Sequence, residues 1–243
     1  MNGEGKTSGE TGAAQALALL AESLRDCSEC GLARGRTQVV FGVGNSDADL
    51  MFVGEGPGFH EDKQGEPFVG QAGKLLTELL AGIGLSRADV YIANVVKCRP
   101  PENRDPAPEE IEACSPHLLR QIGIIRPRVI CTLGRFATKL LADTELSMTA
   151  IHGKAKEITL AGVQTLLFPV FHPAAALYTP ANRRVLEEDF AKLHILVSRG
   201  LDALNQGSLA GDASTSGISE GALGAVSLPP RPTAGRSEQL PLW

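Results

Sequence analysis

DLMFVGEGPGFHED, residues 49–62, joins a continuous apolar run to a glycine-rich turn that carries carboxylates and an imidazole. From Leu50 to Val53 nothing alternates with polar residues, which is the pattern of a strand covered on both faces, and Gly54, Gly56 and Gly58 then end it. A strand covered on both faces needs helices above and below it, so this stretch predicts a parallel sheet inside an α/β domain.

Working outward, three further runs read the same way: Val90–Val96 (VYIANVV), Val129–Leu133 (VICTL) and Thr165–Val170 (TLLFPV). Amphipathic stretches at Ala72–Ile83, Pro108–Ile122, Arg135–Ala142 and Asn182–Ser198 carry apolar residues at three- and four-residue spacing. Pro108-Glu109-Glu110 is a good helix opening, with proline in the first turn and carboxylates at the positive end of the dipole. The alternation predicts one domain over residues 27–200. Its fold class is a three-layer α/β sandwich with a central, largely parallel four-stranded sheet flanked by helices.

The flanks differ in composition. Residues 201–243 are rich in Gly, Ser, Ala and Pro and read as a disordered tail; residues 1–26 read as a partly disordered N-terminal segment. The longest apolar runs, such as AAQALALLA (13–21), fall far short of the roughly 20 residues that span a bilayer, and the polar N-terminus has no signal-peptide character. Five cysteines without a secretory segment point to a reducing compartment, the cytoplasm. The net charge of −5 divides into −2 for residues 1–26, −2 for residues 201–243 and −1 for the domain. Any nucleic-acid surface must therefore be a local patch.

In an open parallel sheet, ligands bind beyond the carboxyl ends of the strands. Glu55, Asn94 and His172 stand at such ends, so a carboxylate, a carboxamide and an imidazole should meet on one rim. A dinucleotide loop is excluded, because the third glycine of G-x-G-x-x-G falls on Phe59 and Pro57 stands where a backbone N–H is needed. Taken singly, Asn94 also fits a satisfied core residue and His172 a strand-end cap. Cys27 and Cys30 form a C-x2-C pair followed at distance by Cys98 and Cys114, a donor set that suits either zinc or an iron–sulfur cluster; Cys131, inside VICTL, reads as a small buried hydrophobe.

Several motifs stand in order: the C-x2-C pair; GEGPGFHED with GEPFVGQAGKLL (65–76); NVVKCRPPENRDP (94–106) with a cysteine in the next helix; and HPAA (172–175). Through them, residues 27 to about 198 resemble the family 4 uracil-DNA glycosylases, iron–sulfur members of the uracil-DNA glycosylase superfamily. The resemblance implies a structural 4Fe-4S cluster on Cys27, Cys30, Cys98 and Cys114, whose negative charge Lys97, Arg99 or Arg104 would offset near DNA. It implies a monofunctional base-excision-repair enzyme that flips uracil out of double- or single-stranded DNA and hydrolyses its N-glycosidic bond, leaving an abasic site. Phe68 would stack on uracil and Asn94 read its edge, with Gly56 in the same pocket. His172 would donate to O2 as charge builds on the leaving base, and Glu55 would position the attacking water, with Glu61 as the alternative carboxylate or as the group that crowds C5 against thymine.

Two departures accompany the resemblance. Some superfamily members carry aspartate where this chain has Gly56, and the apolar wedge expected after HPAA falls on Ala176, which shifts that role to Leu177 or Tyr178 with Arg183 and Arg184 reaching phosphates. The last residues, Gln239, Leu240, Pro241, Leu242 and Trp243, resemble the peptide with which bacterial repair and replication proteins bind the sliding clamp. On a flexible tail this would tether a monomeric, nucleoid-associated enzyme in a bacterial cytoplasm. The alternatives are a non-catalytic DNA- or clamp-binding module on the same scaffold, and a glycosylase of broader deaminated-base specificity.

Overall fold

The computed structural model of the chain describes residues 7–177 and 179–199. Its strands are β1 (Val43–Gly44), β2 (Leu50–Gly54), β3 (Tyr91–Asn94), β4 (Val129–Leu133), β5 (Lys156–Leu160) and β6 (Val163–Val170). The helices are α1 (Thr7–Leu24), α2 (Phe59–Gln64), α3 (Gln71–Gly82), α4 (Pro108–Ile125), α5 (Arg135–Ala142), α6 (Met148–Ile151) and α7 (Pro180–Arg199). One sheet has the order β1-β3-β2-β4-β6-β5, in which β3, β2, β4 and β6 are parallel. The four continuous apolar runs of the sequence are those four strands.

The expected four strands are corrected to six, because an antiparallel strand closes each edge: β1 on β3 and β5 on β6. Neither carries a buried-strand signal. β1 is two residues long, and β5 (KEITL) has one face in solvent. A two-residue turn joins β5 to β6, with Ala161 at φ 49° and Gly162 at φ 71°, the paired positive φ of a type I′ hairpin. Charged residues such as Lys156 and Glu157 on that edge also guard it against strand addition.

Alternation along β2 sorts the core into two layers. Met51 and Val53 face one cluster with Leu17 of α1, Leu118 and Ile122 of α4, and Leu141 of α5. Leu50 and Phe52 face the other with Leu76 and Leu80 of α3, and Leu186 and Phe190 of α7. Phe52 and Phe190 stack at 5.8 Å between centroids. The N-terminal segment expected to be partly disordered is helical over Thr7–Leu24, and Leu17 is its core anchor. Among the described residues no helix is long and apolar enough to cross a membrane.

Candidate functional site

The carboxyl ends of β2, β3 and β6 surround an open cavity of about 350 Å³. Glu55, Gly56, Glu61, Phe68, Asn94 and His172, the residues singled out from sequence, all line it. Glycine makes the convergence possible. A Cβ on Gly54, at the end of β2, would sit 2.5 Å from Asn94 Oδ1 and 2.6 Å from the Phe68 ring, so only a bare backbone lets both side chains cover the strand end. A Cβ on Gly56 would fall 2.7 Å from Val96 Cγ2, so any larger residue there requires Val96 to shift.

Phe68 is buried and takes φ 55°, a left-handed conformation that a bulky side chain adopts only when its surroundings enforce it. Arg87 supplies one clamp, donating to Phe68 O at 3.2 Å and to Pro67 O at 2.7 Å. Glu61 supplies the other, with Oε1 accepting from the backbone N–H of Val69 at 2.9 Å and of Gly70 at 2.8 Å. The Phe68 ring stacks against His172, 5.7 Å between centroids. With one oxygen committed to two amides, Glu61 is a fixed wall of the cavity, whereas Glu55 has no such backbone anchor among the described residues.

Asn94 is 2% exposed, and its Oδ1 has no hydrogen-bond partner among the described residues. A buried carbonyl oxygen left unsatisfied at a cavity wall costs about 1–3 kcal/mol, which a ligand donor would recover. Below it, the buried Lys97 ammonium donates to Asn94 O at 2.8 Å and to Gln121 Oε1 at 2.5 Å. Gln121 is held in turn by Phe41 O and Tyr91 Oη.

Two titrating groups that line the cavity are strongly displaced. Burial and neighbouring Asp105 push the Glu55 carboxyl up to about 7, against the opposing pull of Arg135. Burial pushes the His172 imidazole down to about 4, with Glu61 acting the other way. His172 Nδ1 accepts from the Ala174 N–H at 3.1 Å. A neutral ring whose Nδ1 accepts must carry its proton on Nε2, so His172 is held as a hydrogen-bond donor.

Ala176 is buried and cannot protrude; Leu177 is half-buried against the β6–α7 side of the core; Tyr178 lies outside the described residues. Arg183 is tied to Glu78 at 2.9 Å and Glu187 at 3.0 Å, while Arg184 is exposed on α7. Arg104 is fixed by a two-pronged pair with Glu110, 2.8 and 2.7 Å. Gln239, Leu240, Leu242 and Trp243 lie outside the described residues.

Cys27, Cys30, Cys98 and Cys114 line one common cavity on the α1–α4 side. Cys131 lies apart in β4, fully buried in the opposite core layer. Two sulfurs already accept hydrogen bonds: Cys114 Sγ from the Lys97 N–H at 3.2 Å and Cys98 Sγ from Arg36 Nη1 at 3.6 Å. Arg36 also donates to Cys27 O at 2.6 Å. Glu29 and His117 approach Cys27 as well, all three within 4.8 Å of one another, but Glu29 Oε2 and His117 Nε2 satisfy each other at 3.0 Å. Four sulfurs from three separate segments, with N–H donors aimed at them, form a donor set that fits an iron–sulfur cluster.

Arg36, Arg87 and Gln121 have no motif signal in the sequence, since each acts by reaching a backbone carbonyl or a buried partner far along the chain. The fold and pocket define a known class of protein. A family model described as the uracil DNA glycosylase superfamily matches residues 41–194, and the chain belongs to that superfamily. Within it, the chain is similar to the type-4 uracil-DNA glycosylase of Saccharolobus solfataricus, 53% identical over 182 residues that cover 73% of this chain and 84% of that one. It is likewise similar to the type-4 uracil-DNA glycosylase of Thermotoga maritima, 47% identical over 184 residues, 74% and 94% of the two chains. Similarity to a type-5 uracil-DNA glycosylase of Pyrobaculum aerophilum is lower, 32% over 146 residues, 54% and 63% of the two chains. These relatives make it a member of the type-4 branch.

Proposed function

We propose that this chain is a monofunctional uracil-DNA glycosylase of base excision repair, acting on a uracil flipped from double- or single-stranded DNA. The observation that carries the reading is the unsatisfied, buried Asn94 Oδ1 at the wall of a cavity floored by the Phe68 ring. Uracil presents a donor at N3 and an acceptor at O4; Asn94 Oδ1 accepts from N3–H and its amide donates to O4. Cytosine reverses both, leaving buried groups unpaired, a rejection worth several orders of magnitude. Thymine brings a methyl at C5, against which the fixed Glu61 carboxylate is a wall.

His172, neutral with its proton on Nε2, donates to uracil O2 as negative charge develops on the departing base. Glu55 orients the water that attacks C1′ and stabilises the cationic sugar; the bond between C1′ and N1 breaks, the electron pair leaves with uracil, the water's hydroxyl bonds to C1′ to complete an abasic site, and its proton passes to the Glu55 carboxylate. Cys27, Cys30, Cys98 and Cys114 hold a 4Fe-4S cluster, which when bound supplies a structural tie between the segment after α1, the segment after β3 and α4. Leu177 or Tyr178 fills the gap left by the flipped nucleotide, Arg184 contacts phosphate, and Arg183 does so once it leaves its carboxylate partners. Gln239, Leu240, Leu242 and Trp243 dock a sliding clamp, and the enzyme works as a nucleoid-associated cytoplasmic monomer. Glu55→Gln is expected to lose most cleavage of a uracil-containing oligonucleotide while retaining its binding; near-normal turnover overturns the assignment.

A further inference from the structure

Phe59 is an exposed aromatic, 49% accessible, at the first position of α2. It follows Gly58, a lining residue of the base pocket. The Arg99 guanidinium lies over its ring at 5.1 Å from the centroid, and the Lys63 ammonium at 5.9 Å. Arg99 is itself braced: its Nε donates to Asn103 Oδ1 at 2.7 Å, and Asn103 and Pro100 both line the same pocket. A solvated phenylalanine is unfavourable by itself, and core packing does not require it here. An exposed ring with two cations, continuous with the mouth of a pocket for a flipped base, has the composition of a single-strand stacking platform: a π-face for a base and positive charge for its phosphate.

We infer that Phe59, with Arg99 and Lys63, forms a second nucleobase site that stacks the unpaired base adjoining the flipped uracil on the same strand. The inference rests on the glycosylase reading, because it takes uracil in the Phe68 pocket as the point from which the neighbour is placed. Its chemistry is independent of sequence, since every base offers a π-face, and it acts where the neighbour is free to unstack: in single-stranded DNA, or beside a mismatch. The pocket residues read uracil; Phe59 adds affinity for the strand.

The test uses the full chain with its cluster loaded and a single-stranded oligonucleotide carrying 2′-fluoro-2′-deoxyuridine, whose electron-withdrawing fluorine opposes formation of the cationic sugar and so blocks cleavage. A fluorescent 2-aminopurine is placed immediately 5′ or 3′ of that residue. Phe59→Ala should weaken binding about 5- to 150-fold, the range that base–aromatic stacking supplies, and should abolish the fluorescence change on one side of the uracil. Phe59→Trp should restore both. Trimming the oligonucleotide on that side should bring the parent enzyme down to the level of Phe59→Ala. Inhibition by free uracil should be the same in all three proteins, which separates a lost platform from a damaged pocket. Arg99→Gln should lower the salt dependence of binding by about one counterion, whereas Phe59→Ala should leave it unchanged. Binding within twofold of the parent together with an unaltered 2-aminopurine signal overturns the inference while leaving the glycosylase reading intact. A parent enzyme that neither binds this oligonucleotide nor cleaves its deoxyuridine counterpart overturns both.

Discussion

Glu55 is the residue whose electrostatics make the sharpest prediction. Its carboxyl is held up to about 7 by burial and Asp105, with Arg135 opposing. In the role proposed for Glu55 the ionised form orients the water, so activity should follow ionisation. A group with that pKa is about 9% ionised at pH 6 and about 91% at pH 8, so kcat/KM should rise about tenfold across that interval. An unperturbed carboxylate at 4.5 would be almost fully ionised throughout and would give a flat profile. His172 cannot mimic the limb, because it is already neutral above about 4. Asp105 and Arg135 form an exposed ion pair at 2.8 Å, which gives two independent levers on the same group. Asp105→Asn removes the charge that raises Glu55 and frees Arg135 to lower it, moving the limb to lower pH; Arg135→Gln moves it higher. Each displacement should be roughly half to one pH unit, about 0.7–1.4 kcal/mol, and should shrink with added salt because both partners are solvated.

The assay is single-turnover cleavage of a uracil-containing oligonucleotide at enzyme concentrations well below saturation, so that the limb reports the free enzyme and product release drops out. The midpoint of the limb, not the plateau rate, is the quantity compared among the variants, because contacts of rim residues with DNA change the plateau alone. Glu55→Gln should lose the limb along with most of the rate. A profile flat from pH 5.5 to 8.5, or a limb that stays in place in both Asp105→Asn and Arg135→Gln, refutes the assignment of Glu55 as the water-orienting base.

Gly54→Ala should fold, with a loss of about 1–3 kcal/mol by urea titration from overpacking, yet lose at least about 100-fold in kcat/KM, because the new methyl displaces Asn94 Oδ1 and the Phe68 ring together. Cys114→Ser should abolish visible absorbance and lower the iron content and Tm, whereas Cys131→Ala should keep the full absorbance, since that thiol lies in the opposite core layer. Gln121→Met should destabilise the fold by about 2–4 kcal/mol in chemical denaturation, because it leaves the fully buried Lys97 ammonium without its side-chain acceptor.

Much of the pocket was legible in the sequence because its residues sit where strands end. Continuous apolar runs mark buried strands, and whatever polar side chain follows each one must face the same rim; Glu55, Asn94 and His172 needed no more than that. The edge strands were not legible, because a two-residue β1 and a half-solvated β5 carry no buried period. Arg87 was hidden for another reason. It grips two backbone carbonyls about twenty residues away, and nothing in local sequence announces that Phe68 must be held at φ 55°. Long-range satisfaction of backbone groups is a property of the folded chain rather than of any window along it.

The same distinction bears on what the proposed cluster would do in a hydrolytic enzyme. The chain from Asn94 to Glu110 leaves β3 with the carboxamide proposed to read the base, buries Lys97, presents Cys98, passes through Glu102 and Asn103 at φ 56°, and enters α4 through Arg104 and Glu110. Such a segment has little regular hydrogen bonding of its own and holds two residues in a sparsely populated conformation. Lys97 joins its two ends of function: the backbone N–H meets Cys114 Sγ and the side chain meets Asn94 O. Anchoring Cys98 and Cys114 to the proposed common cluster would therefore fix the backbone on which Asn94 stands. The bond to Cys114 Sγ and the bond to Asn94 O come from one residue, so loss of the cluster should reach uracil recognition through Lys97 before it reaches the core layers, where Phe52, Phe190 and the α3–α7 packing hold independently of it.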